Sequence, residues 1–155
     1  FITIRKGKGL RGCIGTLDVK QESIKSDNVM SRVIKYSHLT AFNDSRFPPL
    51  TEAEFNNATK DPNTKLSYKV SILAEKRPIT LNEYLKTNRF QLGKDGIEIQ
   101  LSTRASGFYL PSVATDQKWN KLRQIRELCG KAGSSDKGCF NTPGAKLYYN
   151  EGFDF

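Results

Sequence analysis

Hydrophobic and polar positions alternate at the start of the chain, Ile2 and Ile4 against Phe1 and Thr3, and Gly7-Lys8-Gly9 separates this run from a second extended run over residues 10–17. A period of two on both sides of a glycine turn predicts a β-hairpin. Met30, Val33, Ile34 and Ala41 then recur at helical spacing, which predicts a helix capped by Asp27, ending near Phe42, with these four residues on its inner face. Pro48-Pro49 forbids its continuation. Thr51 and Glu54, and again Thr80 and Glu83 behind Pro78, stand three residues apart. At that spacing a hydroxyl and a carboxylate satisfy amides reciprocally at a helix start, so two short helices are expected.

Leu66, Tyr68, Val70 and Ile72 alternate with Ser67, Lys69, Ser71 and Leu73, the pattern of a strand with one covered face. Phe90 and Leu92, the Lys94-Asp95-Gly96 turn, and Ile97, Ile99 and Leu101 predict a second hairpin whose Asp-Gly pair takes positive φ. A strand is expected at Phe108 and Leu110. A last helix runs from near Trp119 to Cys129, with Leu122, Ile125 and Cys129 on one face and Gly130 or Gly133 as its stop. Past Gly133 only residues 146–149 read as ordered. Hairpins mixed with helices predict an α+β fold with an antiparallel or mixed sheet.

The 155 residues carry 25 Lys+Arg and 16 Asp+Glu, a formal charge of +9. One domain is expected at this length. The longest apolar run, residues 70–74, is broken by Ser71, which excludes a membrane-spanning helix as the expectation. Phe1 in place of an initiator Met predicts a chain that begins inside a longer protein. Three cysteines, Cys13, Cys129 and Cys139, leave one thiol unpaired and fit a reducing compartment better than a disulfide scaffold, so the protein reads as cytoplasmic or nuclear.

The run with the most chemical content is Leu10-Arg11-Gly12-Cys13-Ile14-Gly15. On a regular strand Arg11 and Cys13 share one face while Leu10 and Ile14 turn to the core. A guanidinium beside a thiol favours the thiolate, and Gly12 and Gly15 leave the backbone open to a ligand or to another segment of the chain. In the plainer reading Cys13 is a small buried hydrophobe and the glycines relieve crowding. In Arg46-Phe47-Pro48-Pro49 the proline pair holds the backbone extended and aims Arg46 or Asp44 at a ligand. Equally, Phe47 plugs the core while Asp44 and Arg46 pair or cap nearby helix ends.

The Leu-Arg-Gly-Cys-Ile-Gly run resembles the signature of the AMMECR-type domain. The likeness continues through Asp44-Ser45-Arg46-Phe47-Pro48-Pro49-Leu50-Thr51, Val70-Ser71-Ile72-Leu73, Gly93 with Gly96-Ile97, Tyr109-Leu110-Pro111-Ser112-Val113-Ala114, Trp119, Leu128-Cys129 and Lys131-Ala132-Gly133. It implies an intracellular α+β domain of two packed subdomains with a cleft between them, the signature lying at or near the cleft. It implies no reaction. Family domains open with a helix before the first strand, so one wall of the cleft is expected outside this chain. Residues 1–155 read as one such domain, with residues 134–155 only weakly matched and Cys139 assigned no function.

The expected function is binding of a ligand, or of a protein or nucleic-acid partner, through a cleft lined by the Leu-Arg-Gly-Cys-Ile-Gly run, with Arg11, Gly12, Gly15, Asp44, Arg46, Phe47 and Pro48 as the binding residues. The alternative is a cysteine-dependent enzyme with Cys13 as nucleophile or redox thiol. His38, the sole histidine, reads as an ordinary position of the long helix and not as the base such chemistry requires. No Cys or His pair has zinc-ligand spacing, and Gly7-Lys8-Gly9 is a hairpin turn and not a phosphate loop, so neither metal nor cofactor is expected. The acid-free stretch holding Lys118, Lys121, Arg123 and Arg126, with a similar one over residues 1–17, supports a third reading, non-specific nucleic-acid binding. No recognition-helix or RNP-like motif accompanies it.

Overall fold

The computed structural model describes residues 1–17, 28–57, 61 and 63–155. Gly7, at φ 55°, makes the turn by which β1 (Ile2–Lys6) folds back into β2 (Gly9–Ile14). Asp27 lies outside the described residues. Asn28 caps α1 (Val29–Phe42), its side chain accepting from the Ser31 amide at 2.8 Å. The buried face of α1 is not the expected one: Met30 and Ile34 are 66% and 65% exposed, while Tyr36 and Thr40 are buried. Thr40 meets β2 at Gly12, where a Cβ would stand 2.6 Å from the Thr40 carbonyl oxygen. Its hydroxyl donates to the Ile2 carbonyl at 3.3 Å. This backbone contact fixes the rotation of the helix and leaves Met30 and Ile34 outside.

The Thr51–Glu54 box opens α2 (Glu52–Asn57): Thr51 Oγ1 accepts from the Glu54 amide at 3.1 Å and Glu54 Oε2 from the Thr51 amide at 3.4 Å. β3 (Leu66–Leu73) pairs antiparallel with β1, giving the order β2-β1-β3. Leu66 enters the core as expected, but Tyr68 and Ile72 are exposed and Ser71 is buried. Ser71 donates its hydroxyl to Asp154 at 2.6 Å, which supplies a polar reason for the inversion.

The described chain divides into two units, residues Phe1–Ile72 with Asp154–Phe155, and residues Leu73–Phe153. The second contains β4 (Arg77–Ile79), α3 (Leu81–Lys86), β5 (Asp95–Gln100), β6 (Ser106–Tyr109), α4 (Pro111–Asp116), α5 (Lys121–Lys131), a 3₁₀ turn at Cys139–Asn141 and nearly all of β7 (Lys146–Asp154). Its strands run antiparallel in the order β4-β7-β5-β6. Thr80 and Glu83 form the expected box at the start of α3.

The second hairpin differs from expectation. Residues 90–92 form no strand, and β5 pairs with β6 and β7. Positive φ falls at Gly93 (84°), because Asp95 folds its carboxylate back to accept from the Gln91 amide at 2.7 Å. Phe90 is nonetheless buried, in a core with Tyr84, Ile97, Ile99, Ile125 and Leu128. On α5, Gln124, Ile125, Leu128 and Cys129 are buried and Leu122 is exposed, another departure. Asn120 caps this helix, and Tyr84 donates to Gln124 Oε1 at 2.9 Å, drawing that polar side chain inward.

Cys129 and Cys139 form a disulfide that ties α5 to the 3₁₀ turn, and Cys13 is free. Composition alone favoured reduced thiols; the pairing corrects that expectation because the turn returns Cys139 to α5, a Cα–Cα distance of 5.7 Å. No described helix is long and apolar enough to cross a membrane.

Candidate functional site

The signature occupies β2, and its regular alternation fails at one residue. Ile4 pairs with Gly12 but Arg5 with Leu10, so Arg11 is left without a partner in a bulge. An extra residue turns the side chains after it out of step. Leu10, expected in the core, is 41% exposed, whereas Arg11 is only 8% exposed. Arg11 reaches across to α2 and grips Glu54 with two bonds, Nε to Oε1 at 3.1 Å and Nη2 to Oε2 at 2.9 Å. A third runs from Nη2 to the Pro49 carbonyl at 3.3 Å. Lys6 adds a bond to Glu54 Oε1 at 3.1 Å. The Arg11 guanidinium, with Lys6 and the Thr51 amide, holds the Glu54 carboxyl down to about 2. Glu54 is therefore both helix-start partner and anion to a buried guanidinium.

The second arm is the loop after α1. Asp44 is buried and its carboxylate accepts from Arg46 Nε at 2.9 Å, from Arg46 Nη2 at 2.7 Å, from the Arg46 amide at 3.2 Å and from the Cys13 amide at 2.8 Å. Arg46 Nη2 also donates to the Cys13 carbonyl at 3.0 Å. The outward backbone groups of Cys13 are both taken by this one pair. The Arg46 guanidinium is the main cause holding the Asp44 carboxyl at about 2. Phe47 is half-buried under Arg46, 5.5 Å from guanidinium to ring centre, and Pro48 is exposed. Of the two readings of this loop, mutual pairing of Asp44 and Arg46 is the one observed.

The expected Arg11–Cys13 neighbourhood changes accordingly. Arg11 is committed to Glu54, and the guanidinium that reaches Cys13 is that of Arg46, at the main chain. The half-buried Cys13 lies opposite Thr3, whose hydroxyl donates to its sulfur at 3.4 Å. Each glycine accommodates protein: a Cβ on Gly12 would strike Thr40, and one on Gly15 would stand 2.5 Å from the Phe1 Cα. His38 is exposed on α1, its ring 5.0 Å from that of Phe42. Thr3, Lys6, Thr40 and Glu54 were not foreseen at this site. Only Glu54 left a sequence signal, and it pointed to its capping role.

The four basic residues considered for nucleic acid belong to the second unit and are unequally available. Lys121 donates to the Thr87 carbonyl at 3.0 Å and lies over the Tyr84 and Phe90 rings. Arg123 pairs with Glu127 at 2.9 Å. Lys118, at φ 55°, and Arg126 are exposed.

Comparison with known proteins decides the family. The AMMECR1 family profile matches residues 1–153. This chain belongs to the AMMECR1 family. Protein TV1384 of Thermoplasma volcanium is 33% identical over 138 residues, covering 89% of this chain and 61% of its own. A protein of Sulfolobus acidocaldarius is 31% identical, covering 86% of this chain and 55% of its own. The chain thus spans roughly half to two thirds of these relatives. The crystal structure of Uncharacterized Protein PH0010 from Pyrococcus horikoshii superposes with a TM-score of 0.77 at 25% identity, over 99% of this chain and 70% of that one. The mixed α+β fold is therefore that of an AMMECR1 family member. Within this AMMECR1 domain, the signature residues Arg11, Gly12, Cys13 and Gly15 are each engaged by another part of the first unit.

Proposed function

We propose that the domain is a binding module, and that Arg46, Phe47 and Pro48, set against β2 at Cys13, form its recognition face for an anionic small ligand or an acidic group of a protein partner. One observation carries this reading: Asp44 and the Cys13 carbonyl fix the Arg46 guanidinium while its side chain stays 55% exposed. With Nε and Nη2 spent on Asp44 and the Cys13 carbonyl, Nη1 is the donor this pre-oriented guanidinium offers to a carboxylate or phosphate oxygen. Arg11, Gly12 and Gly15 support the face from beneath and are not in contact with the ligand in this proposal.

Catalysis at Cys13 finds less support, since the group bonded to its sulfur is the Thr3 hydroxyl, a donor and not a base. The two readings separate by substitution in the full-length protein. Arg46→Ala should abolish capture of the cellular partner or ligand, and Cys13→Ser should preserve it. Loss with Cys13→Ser and retention with Arg46→Ala would establish the thiol reading instead. Cytoplasmic or nuclear residence belongs to the same proposal. Fractionation of cells expressing the tagged full-length protein tests it, and recovery with a secretory or organellar fraction would overturn it.

A further inference from the structure

A cavity of about 400 Å³ opens between the outer face of α5 and the 3₁₀ turn. Arg123, Arg126 and Glu127 line it from the helix, and Lys137, Phe140 and Asn141 from the segment beyond. Its charges are arranged about the one carboxylate: Glu127 Oε1 holds Arg123 at 2.9 Å, and Oε2 holds Lys137 at 3.7 Å. Arg126 is exposed and makes no ion pair among the described residues. Three cations against one carboxylate leave the cavity with a formal charge of about +2, close to the reverse of a phosphomonoester, which carries roughly −1.5 to −2 at neutral pH. Guanidinium groups suit phosphate oxygens because they donate in a planar fork.

The volume falls within the range of small-molecule sites, about 300–1,000 Å³, and exceeds what a bare phosphate fills. Phe140 supplies an aromatic surface for the organic remainder, and Asn141 a side-chain amide that both donates and accepts. The disulfide anchors this wall, because Cys139 begins the turn that carries Phe140 and Asn141.

We propose that the α5–turn cavity binds a phosphomonoester of a small flat organic group, a nucleoside monophosphate being the representative class. Arg126 takes the phosphate, Arg123 and Lys137 complete its positive surround, and the ring lies on Phe140. This site lies wholly in the second unit and is independent of the recognition face at Arg46.

Calorimetric titration of the protein with adenosine monophosphate, adenosine and inorganic phosphate tests it. Adenosine monophosphate should bind, phosphate more weakly, and adenosine not at all. Arg126→Ala should weaken binding roughly 10- to 100-fold, as expected for one charge-assisted contact. Arg126→Lys should recover part of it, and Lys118→Ala should change nothing. Phe140→Leu, which keeps the bulk and removes the ring, should reduce the monophosphate to the affinity of phosphate. Absence of monophosphate binding at millimolar concentration overturns the proposal, as does unchanged affinity in Arg126→Ala with an unchanged melting temperature. Equal affinity for phosphate and monophosphate overturns the organic-ligand assignment. An RNA oligonucleotide that binds while the monophosphate does not, and that Lys118→Ala and Arg126→Ala weaken alike, would assign the charge to a diffuse polyanion surface.

Discussion

The two units solve different problems with different forces. Around the signature, Arg11 with Glu54 and Asp44 with Arg46 bring β2 together with α2 and with the loop after α1 through charged hydrogen bonds. In the second unit Tyr84, Phe90, Ile97, Ile99, Ile125 and Leu128 are almost wholly buried, and a disulfide adds a covalent tie. In the run richest in apparent chemistry, Arg11, Gly12 and Gly15 each meet another part of the first unit. The segment after Gly133, which offered no motif, contributes half the wall of a cationic cavity.

The largest effect should come from Ile125→Ala, which removes a fully buried side chain and should destabilise the second unit by about 3–4 kcal/mol. Urea unfolding monitored by amide exchange in β5 measures it, and a loss that varied with salt would contradict an apolar origin. Reducing Cys129–Cys139, which closes a separation of ten residues, should cost the same unit about 3 kcal/mol by chain-entropy reasoning. An equal loss of amide protection in β1 would erase the distinction between the units.

Glu54→Ala strands the buried Arg11 without its anion and should cost the first unit about 2–3 kcal/mol. Faster exchange of β1 and β2 amides, with β5 unchanged, is the expected pattern. The acid response follows from the same groups. Both carboxyls are depressed in the folded state, Glu54 from 4.5 and Asp44 from 3.8 to about 2. Their contribution is complete above the unfolded values and disappears as pH falls from about 4.5 to 2. It should total about 1–2 kcal/mol after solvent screening. Exchange measured across that range would break the comparison if the second unit loosened first. Thr80→Ala, the smallest change, should cost about 1 kcal/mol through the α3 cap, read as a shift in the urea midpoint.

Local signals were the legible ones. Both Thr-x-x-Glu boxes, the glycine turn after β1 and the general course of β3 and α5 follow from interactions within a few residues. Side-chain facing was not legible where a distant contact decides it. Leu10 and Arg11 exchange places because of a bulge that alternation cannot show. Met30 and Ile34 lose the inner face of α1 to Thr40 because Gly12 admits the helix backbone. Glu54 could be read as a cap but not as the partner of Arg11, since 43 residues separate them. The short β4 and α4 left no expectation at all, and their few residues give periodicity little to act upon.

β2 is the outermost strand of its sheet among the described residues, and an open strand edge invites another chain to extend it. At Cys13 that invitation is withdrawn: Asp44 and Arg46 fill, as side chains, the donor and acceptor places a neighbouring strand would occupy. The pair thereby blocks added strand pairing at this one residue. Losing it would matter most in a crowded solution, where open strand edges find each other.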